Sequence, residues 1–347
     1  MPGSTNGALL MLPEEDRMQL QDRTAEQVRD WITSKTLAVR RYLLNLQSAF
    51  NSTLPVNTLP NEVLVEILRL ASASDDSGAW MTAATGVCQY WRDVTLNTPV
   101  LWTNIDLSAS PRFITLCLDR SRGAGLSMHL PRPEPQLEYL ERAKIDFSAI
   151  TPLLDSHHSR ITNIDLYIDI HHDSETSSLW QVLDGSIPAL CSLDVEVAES
   201  PLPWTPGPLP YLRSLSLTRV TPDWTKLPLS QLTSLKLCLV ELPEDGPFAS
   251  LLNVLKACAS LEAFNCDFAH EGLGRLDRRN QHEVDRIMSL PRMRHIQLSG
   301  NGRGIKNLLA RISLPRCARA SLQPSSSAYS DSPSEDRPVL KAFLPTD

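Results

Sequence analysis

Two pairs of adjacent histidines have the side chains best suited to hold a metal ion. His157-His158 and His171-His172 offer imidazole ligands of the kind that zinc binds. No acid or cysteine lies at the helical spacing from either pair that would complete a set of ligands. The sequence therefore predicts histidines in surface loops, with no metal site and no cofactor.

The seven cysteines could in principle form disulfides, bind zinc or act as nucleophiles. Their number is odd, they are scattered, and no C-x-x-C pair occurs, so neither a disulfide framework nor a zinc site is predicted. A reducing cytoplasmic or nuclear compartment suits such thiols best. The cysteines are Cys88, Cys117, Cys191, Cys238, Cys258, Cys266 and Cys317.

The remaining sequence patterns give no support for catalysis. Residues 300–304, Gly-Asn-Gly-Arg-Gly, are rich in glycine but lack the G-x-x-x-x-G-K-[ST] order of a phosphate-binding loop, so a turn is predicted. No G-x-S-x-G elbow and no clear Cys/His arrangement is present. We therefore expect a protein that is not an enzyme and has no catalytic residues.

Charge and hydropathy exclude two classes of partner. The chain has 33 Lys and Arg against 40 Asp and Glu, a net charge of −7, which does not favour phosphate backbones or anionic lipids. No stretch approaches the roughly 20 apolar residues of a membrane span. Neither nucleic acid nor a membrane is expected as a partner.

A long amphipathic helix is predicted over residues 14–53, after a disordered start at 1–13. Its apolar residues recur at spacings of three, four or seven, which is the periodicity of one helical face. They are Val28, Ile32, Val39, Leu43, Leu46 and Phe50. The helix could dock on its own domain or form a homodimeric coiled coil, although it has fewer than four clean heptads.

A compact unit of three helices is predicted between residues 59 and 102. Leu64 and Leu68 share one helical face, Trp80 lies in a second helix, and a third runs from Val87 towards Asn97. Such a unit is small for an independent core. It should therefore pack against the preceding helix, the following repeats or a partner protein.

Three motifs occur in order along this unit. They are residues 59–64, Leu-Pro-Asn-Glu-Val-Leu; 87–92, Val-Cys-Gln-Tyr-Trp-Arg; and 98–102, Thr-Pro-Val-Leu-Trp. Together they resemble the opening, middle and closing motifs of the F-box. Residues 54–107 as a whole are similar to the expanded F-box-like families of fungi, and residues 116–121 and 126–130 resemble the helix and strand that follow the box there.

The resemblance implies that the box binds a Skp-type adaptor, and through it a cullin with its RING subunit. Leu64, Trp80 and Val94 are predicted to form the core of the box. The residues that the resemblance places at the adaptor are Leu59, Pro60, Ile67, Leu68, Val87, Cys88 and Trp91.

A second pattern, with apolar residues at relative positions one, four and six, recurs six times after the box. It begins at residues 161, 190, 212, 232, 261 and 293, mostly at the spacing of leucine-rich repeats. Residues 108–320 are therefore predicted to form an irregular leucine-rich repeat solenoid, with residues 250–258 and 280–288 helical, and 321–347 a disordered tail. The predicted fold class is α+β, or α/β repeat, behind N-terminal helices.

The residues that flank positions four and six would form the concave face of the solenoid. They are Ser192, Asp194, Glu196, Ser214, Ser216, Ser234, Lys236, Asn265, Asp267, His295 and Gln297. This polar face of mixed charge suits protein recognition, or is an ordinary solvated surface. Three interpretations follow: a substrate-recognition subunit of an SCF-type ubiquitin ligase, a repeat scaffold that recruits no ligase, or an enzyme acting on its concave surface.

Overall fold

The computed structural model describes residues 11–73, 79–132, 147–168, 183–198, 202–240, 247–268 and 287–325. Contacts within the chain divide it into two compact units. One comprises residues 1–75 and 79–96, and the other comprises residues 76–78 and 97–347. The boundary falls inside the predicted box at 54–107, since its last residues from 97 onward group with the second unit.

The first unit is built from helices. They are α1 (Glu14–Leu20), α2 (Ala25–Ser52), α3 (Asn61–Ala73), α4 (Ala79–Val87) and α5 (Gln89–Asn97), with a 3-10 turn at Pro55–Thr58 between α2 and α3. Leu64 and Val94 are buried as predicted, whereas Trp80 keeps partial exposure. Within the described ranges, none of the helices combines the length and apolarity that a bilayer crossing requires.

The single helix predicted over 14–53 is in fact two helices, and that prediction was wrong at residues 21–24. Asp22 has a φ of 65°, a left-handed conformation that a right-handed helix does not continue. The Thr24 hydroxyl accepts from the Gln27 N–H, and the Gln27 side chain accepts from the Thr24 N–H at 3.0 Å. This capping box starts α2 afresh, and apolar periodicity carries no signal for it.

The second unit is centred on a parallel sheet. Its neighbouring strands follow one another in chain order, with every pair parallel. Two small parallel pairs, β5 with β7 and β10 with β12, lie outside the main sheet. The strands are β1 (Asn104–Asp106), β2 (Leu126–Leu130), β3 (Ile161–Ile168), β4 (Ser192–Val197), β5 (Leu202–Trp204), β6 (Ser214–Thr218), β7 (Val220–Pro222), β8 (Ser234–Cys238), β9 (Ala263–Phe268), β10 (Met288–Ser289), β11 (His295–Asn301), β12 (Ile312–Ser313) and β13 (Arg319–Ser325).

Four α-helices are described among these strands: α6 (Pro111–Arg120), α7 (Phe147–His157), α8 (Pro247–Ala257) and α9 (Gly302–Leu309). Helix α6 and strand β2 confirm the helix and strand expected after the box, and α8 confirms the helix expected at 250–258. Most of the helix expected at 280–288 lies outside the described residues, and it was wrong at its end, where Met288 belongs to β10. The turn predicted at 300–304 was wrong, because β11 passes directly into α9. The Asn301 side chain caps that helix by accepting from the Arg303 N–H at 2.9 Å.

The six apolar patterns coincide with strands that share one register. Position four is occupied by cross-strand neighbours from Ile164 through Leu193 and onward to Ile296, and position six by those from Leu166 to Leu298. Every residue at positions one, four and six is at most 5% exposed. The predicted strands and their inward positions are therefore confirmed.

The C-terminal boundary of the ordered region lies further along than predicted. Residues 321–325, assigned to a disordered tail, belong to β13, where Leu322 pairs in register with Leu298. A polar, serine-rich composition hid this strand because its backbone hydrogen bonds come from β11 and need no apolar pattern of their own. The tail from 326 onward, and residues 1–10, lie outside the described residues.

Candidate functional site

The helical unit exposes apolar side chains along α3 and at the end of α4. Val63, Ile67, Leu70 and Val87 are between 42% and 55% exposed, whereas Leu64 and Leu68 on α3 are buried. Apolar surface of this kind on a small unit is typical of a protein-interaction face. We call Val63, Ile67, Leu70 and Val87 the apolar face of the box.

The seven predicted adaptor-binding residues differ in how far they reach this surface. Pro60, Ile67 and Val87 are exposed; Leu59, Cys88 and Trp91 are half-buried; and Leu68 is only 3% exposed. Six of the seven thus present at least part of a side chain to solvent. Leu68 lies in the core of the unit and supports the surface from beneath.

Hydrogen bonds join the opening motif of the box to its middle motif. The Trp91 Nε1 donates to Asn57 Oδ1 at 2.7 Å. The Tyr90 hydroxyl lies 2.7 Å from Asn61 Oδ1 and 3.3 Å from the Leu59 carbonyl, and its one proton serves one acceptor at a time. The two motifs, about 30 residues apart in sequence, are therefore held against each other.

Sequence reasoning missed the residues that make these bonds, Asn57, Asn61 and Tyr90. The only available signal was their position, since two of them flank the Leu59-Pro60 pair and the third lies inside the middle motif. Short polar residues beside a helix start commonly bond nearby groups. Which partner they choose depends on the packing of α5, which periodicity does not reveal.

Helix α2 adds a second apolar surface in the same unit. All of α2 lies within the described residues, and none of its 28 side chains is buried. Near its end Leu46, Gln47, Phe50 and Asn51 form, with Val87, an open groove of about 490 Å³. The groove therefore includes one residue of the apolar face of the box.

Helix α1 packs on one side of α2 through two polar contacts. The Trp31 Nε1 donates to Gln19 Oε1 at 3.1 Å, and the Lys35 ammonium lies 2.8 Å from the largely buried Asp16 carboxylate. These contacts leave the apolar seam of α2, which runs from Val28 to Phe50, without a buried residue. Whether the seam docks within one chain or forms a coiled coil between two stays a prediction.

The polar face of the sheet carries the side chains that alternate with the buried positions. Asp194, Glu196, Lys236, His295 and Gln297 are all at least partly exposed, as the pleat of a strand requires. The same holds for the other residues predicted there except Ser216, which is 6% exposed. We call this surface the outward face.

One half of the outward face is acidic. Asp165 on β3 pairs in register with Asp194 on β4, and Glu196 follows two residues later. Partial burial, and then the neighbouring Asp194, raise the pKa of Asp165, while His129 and Lys236 act in the opposite direction. Sequence reasoning missed Asp165, although its place beside position four of the first pattern was a usable signal.

Arg132 lies beside the acidic half of the outward face and contacts one of its acids. Its guanidinium forms an ion pair with Glu196 and lies 5.1 Å from the centre of the Tyr167 ring. The contact with Glu196 raises the pKa of Arg132. One acid of the cluster is therefore neutralised, which leaves Asp165 and Asp194 as its main negative charges.

The other half of the outward face contains a shallow groove of about 400 Å³ across β8, β9, β11 and β13. Its polar and basic lining residues are Ser234, Lys236, Asn265, His295, Gln297, Arg319 and Ser321. None of the described residues that line it is an acid. We call this the basic groove.

The histidines and thiols that the structure describes do not come together in a metal site. No group of three or more His, Cys, Asp or Glu residues within the described ranges could hold a metal ion. His158 Nδ1 lies 2.6 Å from the Asp155 carbonyl, and His171-His172 lie outside the described residues. Burial raises the pKa of Cys117 and of Cys258 to about 12, so these two thiols are poor nucleophiles at neutral pH.

Comparison with protein families identifies a known domain that covers α3, α4 and α5 of the helical unit and the first residues of the second unit. Residues 56–108 match the family model described as F-box-like, which is the segment that carries the three motifs. The chain therefore contains an F-box-like domain, a type of module that typically mediates protein interactions, and F-box domains generally bind Skp-type adaptors. The search of curated proteins found no match.

Proposed function

We propose that this protein is the substrate-recognition subunit of an SCF-type cullin-RING ubiquitin ligase. Its F-box-like domain would bind a Skp-type adaptor and, through it, a cullin, while the outward face of the sheet would bind the target. The observation that carries the proposal is the F-box-like match at 56–108. The exposed apolar face within that match supplies a surface for the adaptor.

The exposed apolar area of the box favours adaptor binding. Ile67 and Val87 are each about half exposed, at 42% and 55%, beside the exposed Pro60. Full burial of an aliphatic side chain contributes roughly 1.5 to 3 kcal/mol. A few such side chains at the centre of an interface can dominate its affinity.

The order of the strands in the sheet supports target binding by the outward face. Strands that follow one another in chain order, with positions one, four and six buried in each of six patterns, suit an irregular leucine-rich repeat solenoid. In such an array each unit contributes outward polar residues to one continuous surface. We infer that this surface recognises the target protein.

The chain would contribute geometry to the reaction and no chemistry. One unit attaches to the ligase, the other holds the target, and the lysines of the target thereby meet the ubiquitin-charged enzyme at high effective concentration. Orientation of this kind lowers the entropic part of the barrier without any catalytic side chain on the receptor.

The test is a pull-down of a purified Skp-type adaptor by the full chain. Ile67→Asp with Val87→Asp places charges on the apolar face, where both side chains are already exposed, so folding should survive. Leu37→Asp is the matched control, since Leu37 is 60% exposed on α2 and lies outside the box. We expect the wild type and the control to retain the adaptor and the double variant to lose at least about tenfold in affinity.

Circular dichroism should first show that all three proteins are folded. If the folded wild type does not bind the adaptor, the ligase role is wrong and a repeat scaffold without ligase recruitment becomes the better account. Equal loss in the Leu37→Asp control would also contradict the assignment of the apolar face as the binding surface.

A further inference from the structure

We propose that the basic groove binds an extended segment of the target that carries two carboxylate side chains. This inference rests on the proposed function, because it assumes that the outward face meets the target, and it adds the chemical class and spacing of what is recognised. The groove crosses β8, β9, β11 and β13, with a volume of about 400 Å³, which suits a short stretch of chain and not a folded domain.

The positive charge of the basic groove favours a negatively charged partner. Lys236 and Arg319 lie at opposite ends, on the first and last of the four strands, and His295 lies between them on β11. Within the part of the chain that the structure describes, no ion pair joins either Lys236 or Arg319 to an acid. Two cations that form no ion pair, in a groove whose described lining contains no acid, attract carboxylates and steer them as they approach.

Between the two cations the groove is lined by small and neutral polar side chains. Ala263 is in register with Ser234 and His295, and Asn265 is in register with Lys236 and Gln297. Because the Ala263 side chain is short, the groove is deeper at this position. Asn265 and Gln297 present both donors and acceptors, which can bond the backbone of an extended chain whatever its sequence.

The spacing of the cations predicts the spacing of the acids. Lys236 and Arg319 are three strand-to-strand steps of about 4.8 Å apart. They are also offset by two residues along the strands, because Lys236 aligns with Ser321, so their backbone positions lie roughly 16 Å apart. Four residues of extended chain cover about 13 Å at about 3.3 Å each, and the long side chains of both cations span the remainder. The groove therefore fits a segment with acids at positions i and i+4.

The acidic half of the outward face restricts where a segment rich in carboxylates can bind. Asp165 and Asp194 on β3 and β4 would repel a segment rich in carboxylates, and the described residues of β6 between the halves carry no charge. Like charges placed against the wrong partner are an effective source of specificity. A carboxylate-bearing segment is thereby confined to the β8 to β13 side.

The experiment measures fluorescence anisotropy of labelled decapeptides with the full-length protein. The first peptide has two glutamates four residues apart in a Gly-Ser background, the second has the same composition with the glutamates adjacent, and the third has lysines in place of glutamates. Two variants remove the cations: Lys236→Glu with Arg319→Glu, and Lys236→Gln with Arg319→Gln. Lys256→Glu is the matched control, because Lys256 is exposed on α8 outside the groove.

We expect the spaced peptide to bind at least about threefold more tightly than the adjacent one, and the lysine peptide not to bind. Charge reversal should weaken binding at least about tenfold, neutralisation by less, and Lys256→Glu hardly at all. Raising the salt from about 50 mM to about 300 mM should weaken binding severalfold, since these contacts are exposed to solvent.

Absence of binding by the spaced peptide, binding of the lysine peptide, or equal loss in the Lys256→Glu control would each overturn the inference. Thermal melting of every variant ensures that a lost signal is not lost folding, and the neutral variants serve if the reversed ones melt early. The adaptor pull-down is independent of the groove. The groove assignment can therefore fail while the ligase role stands, and the two failures are distinguishable.

Discussion

Single side chains on α5 tie the start of the box to its middle. Trp91 reaches Asn57, and Tyr90 reaches Asn61 and the Leu59 carbonyl, so the half-buried Leu59 is held where the predicted adaptor surface begins. The sequence motifs identify Trp91 and Leu59 as members of one site. The asparagines that connect them could not be predicted, because a side-chain hydrogen bond depends on three-dimensional packing.

The side-chain bonds of Asn57 should make a measurable contribution to stability. In Asn57→Ala the Trp91 indole N–H loses its acceptor and the Asn51 carbonyl loses the Asn57 amide as a donor, so we expect the free energy of unfolding to fall by about 1 to 2 kcal/mol. Asn61→Ala is the control, because Tyr90 can still use the Leu59 carbonyl and should lose less. Urea denaturation followed by tryptophan fluorescence measures both, and an equal effect of the two substitutions would contradict this account.

The thiols should differ in reactivity by burial. Burial raises the pKa of Cys117 and Cys258 to about 12, whereas Cys191 and Cys317 are exposed. Iodoacetamide at pH 8 should label Cys191 and Cys317 first, and Cys117 and Cys258 only after denaturation, because the thiolate is the reacting form. Peptide mass spectrometry gives the order of labelling. Early labelling of Cys258 would contradict the burial assigned to its thiol.

Asp165 should make stability depend on pH. Because burial and Asp194 raise its folded pKa above the usual value of 3.8, the charged form costs stability at neutral pH. That cost is relieved as the pH falls through the folded pKa towards 3.8. Asp165→Asn should therefore be more stable than wild type at pH 7, with the difference shrinking on approach to pH 4.

The matched substitution is Asp30→Asn, on the exposed surface of α2, which should give no comparable gain at pH 7. Thermal melting across this pH range provides the comparison. An Asp165→Asn protein that is less stable than wild type at pH 7 would contradict the stated cause of the pKa shift.

Helices and strands were predictable where apolar periodicity sets them. The six strand patterns gave the correct strands because positions four and six must be buried against a neighbour, and α8 followed from its own pattern. Periodicity failed at the ends of elements. The break before Thr24, the start of α9 at Gly302 and the strand β13 depend on caps and on strand pairing, which local apolar spacing does not encode.

A central strand should tolerate changes on one face and not on the other. Leu215 on β6 is fully buried, so Leu215→Ala should lower the free energy of unfolding by about 2 to 5 kcal/mol through lost contacts and the cavity left behind. Its neighbour Ser214 is partly exposed on the outward face, and Ser214→Ala should change it by about 0.5 kcal/mol or less. Chemical denaturation of both variants checks the assigned orientation, and a reversed order would contradict it.

At the scale of the molecule, the two units carry surfaces of different character. The box exposes apolar side chains, and the sheet exposes an acidic half and a basic groove. The resemblance to the F-box pointed to Ile67 and Val87 of the apolar face but not to Val63 and Leu70, and the division of charge on the sheet could not be predicted. The net charge of −7 carries no information on where individual charges lie. That Lys236 and Arg319 line one groove follows only from the register of four strands.

Hydrogen exchange of the full chain, with and without a purified Skp-type adaptor, would show whether the F-box-like domain binds that adaptor. We predict that the adaptor slows exchange at residues 59–70 and 87–92, while the strands of the sheet exchange as in the free protein. No protection anywhere, or protection confined to the sheet, would contradict the account. Either result would mean that the F-box-like domain of this chain does not serve as its attachment to a ligase.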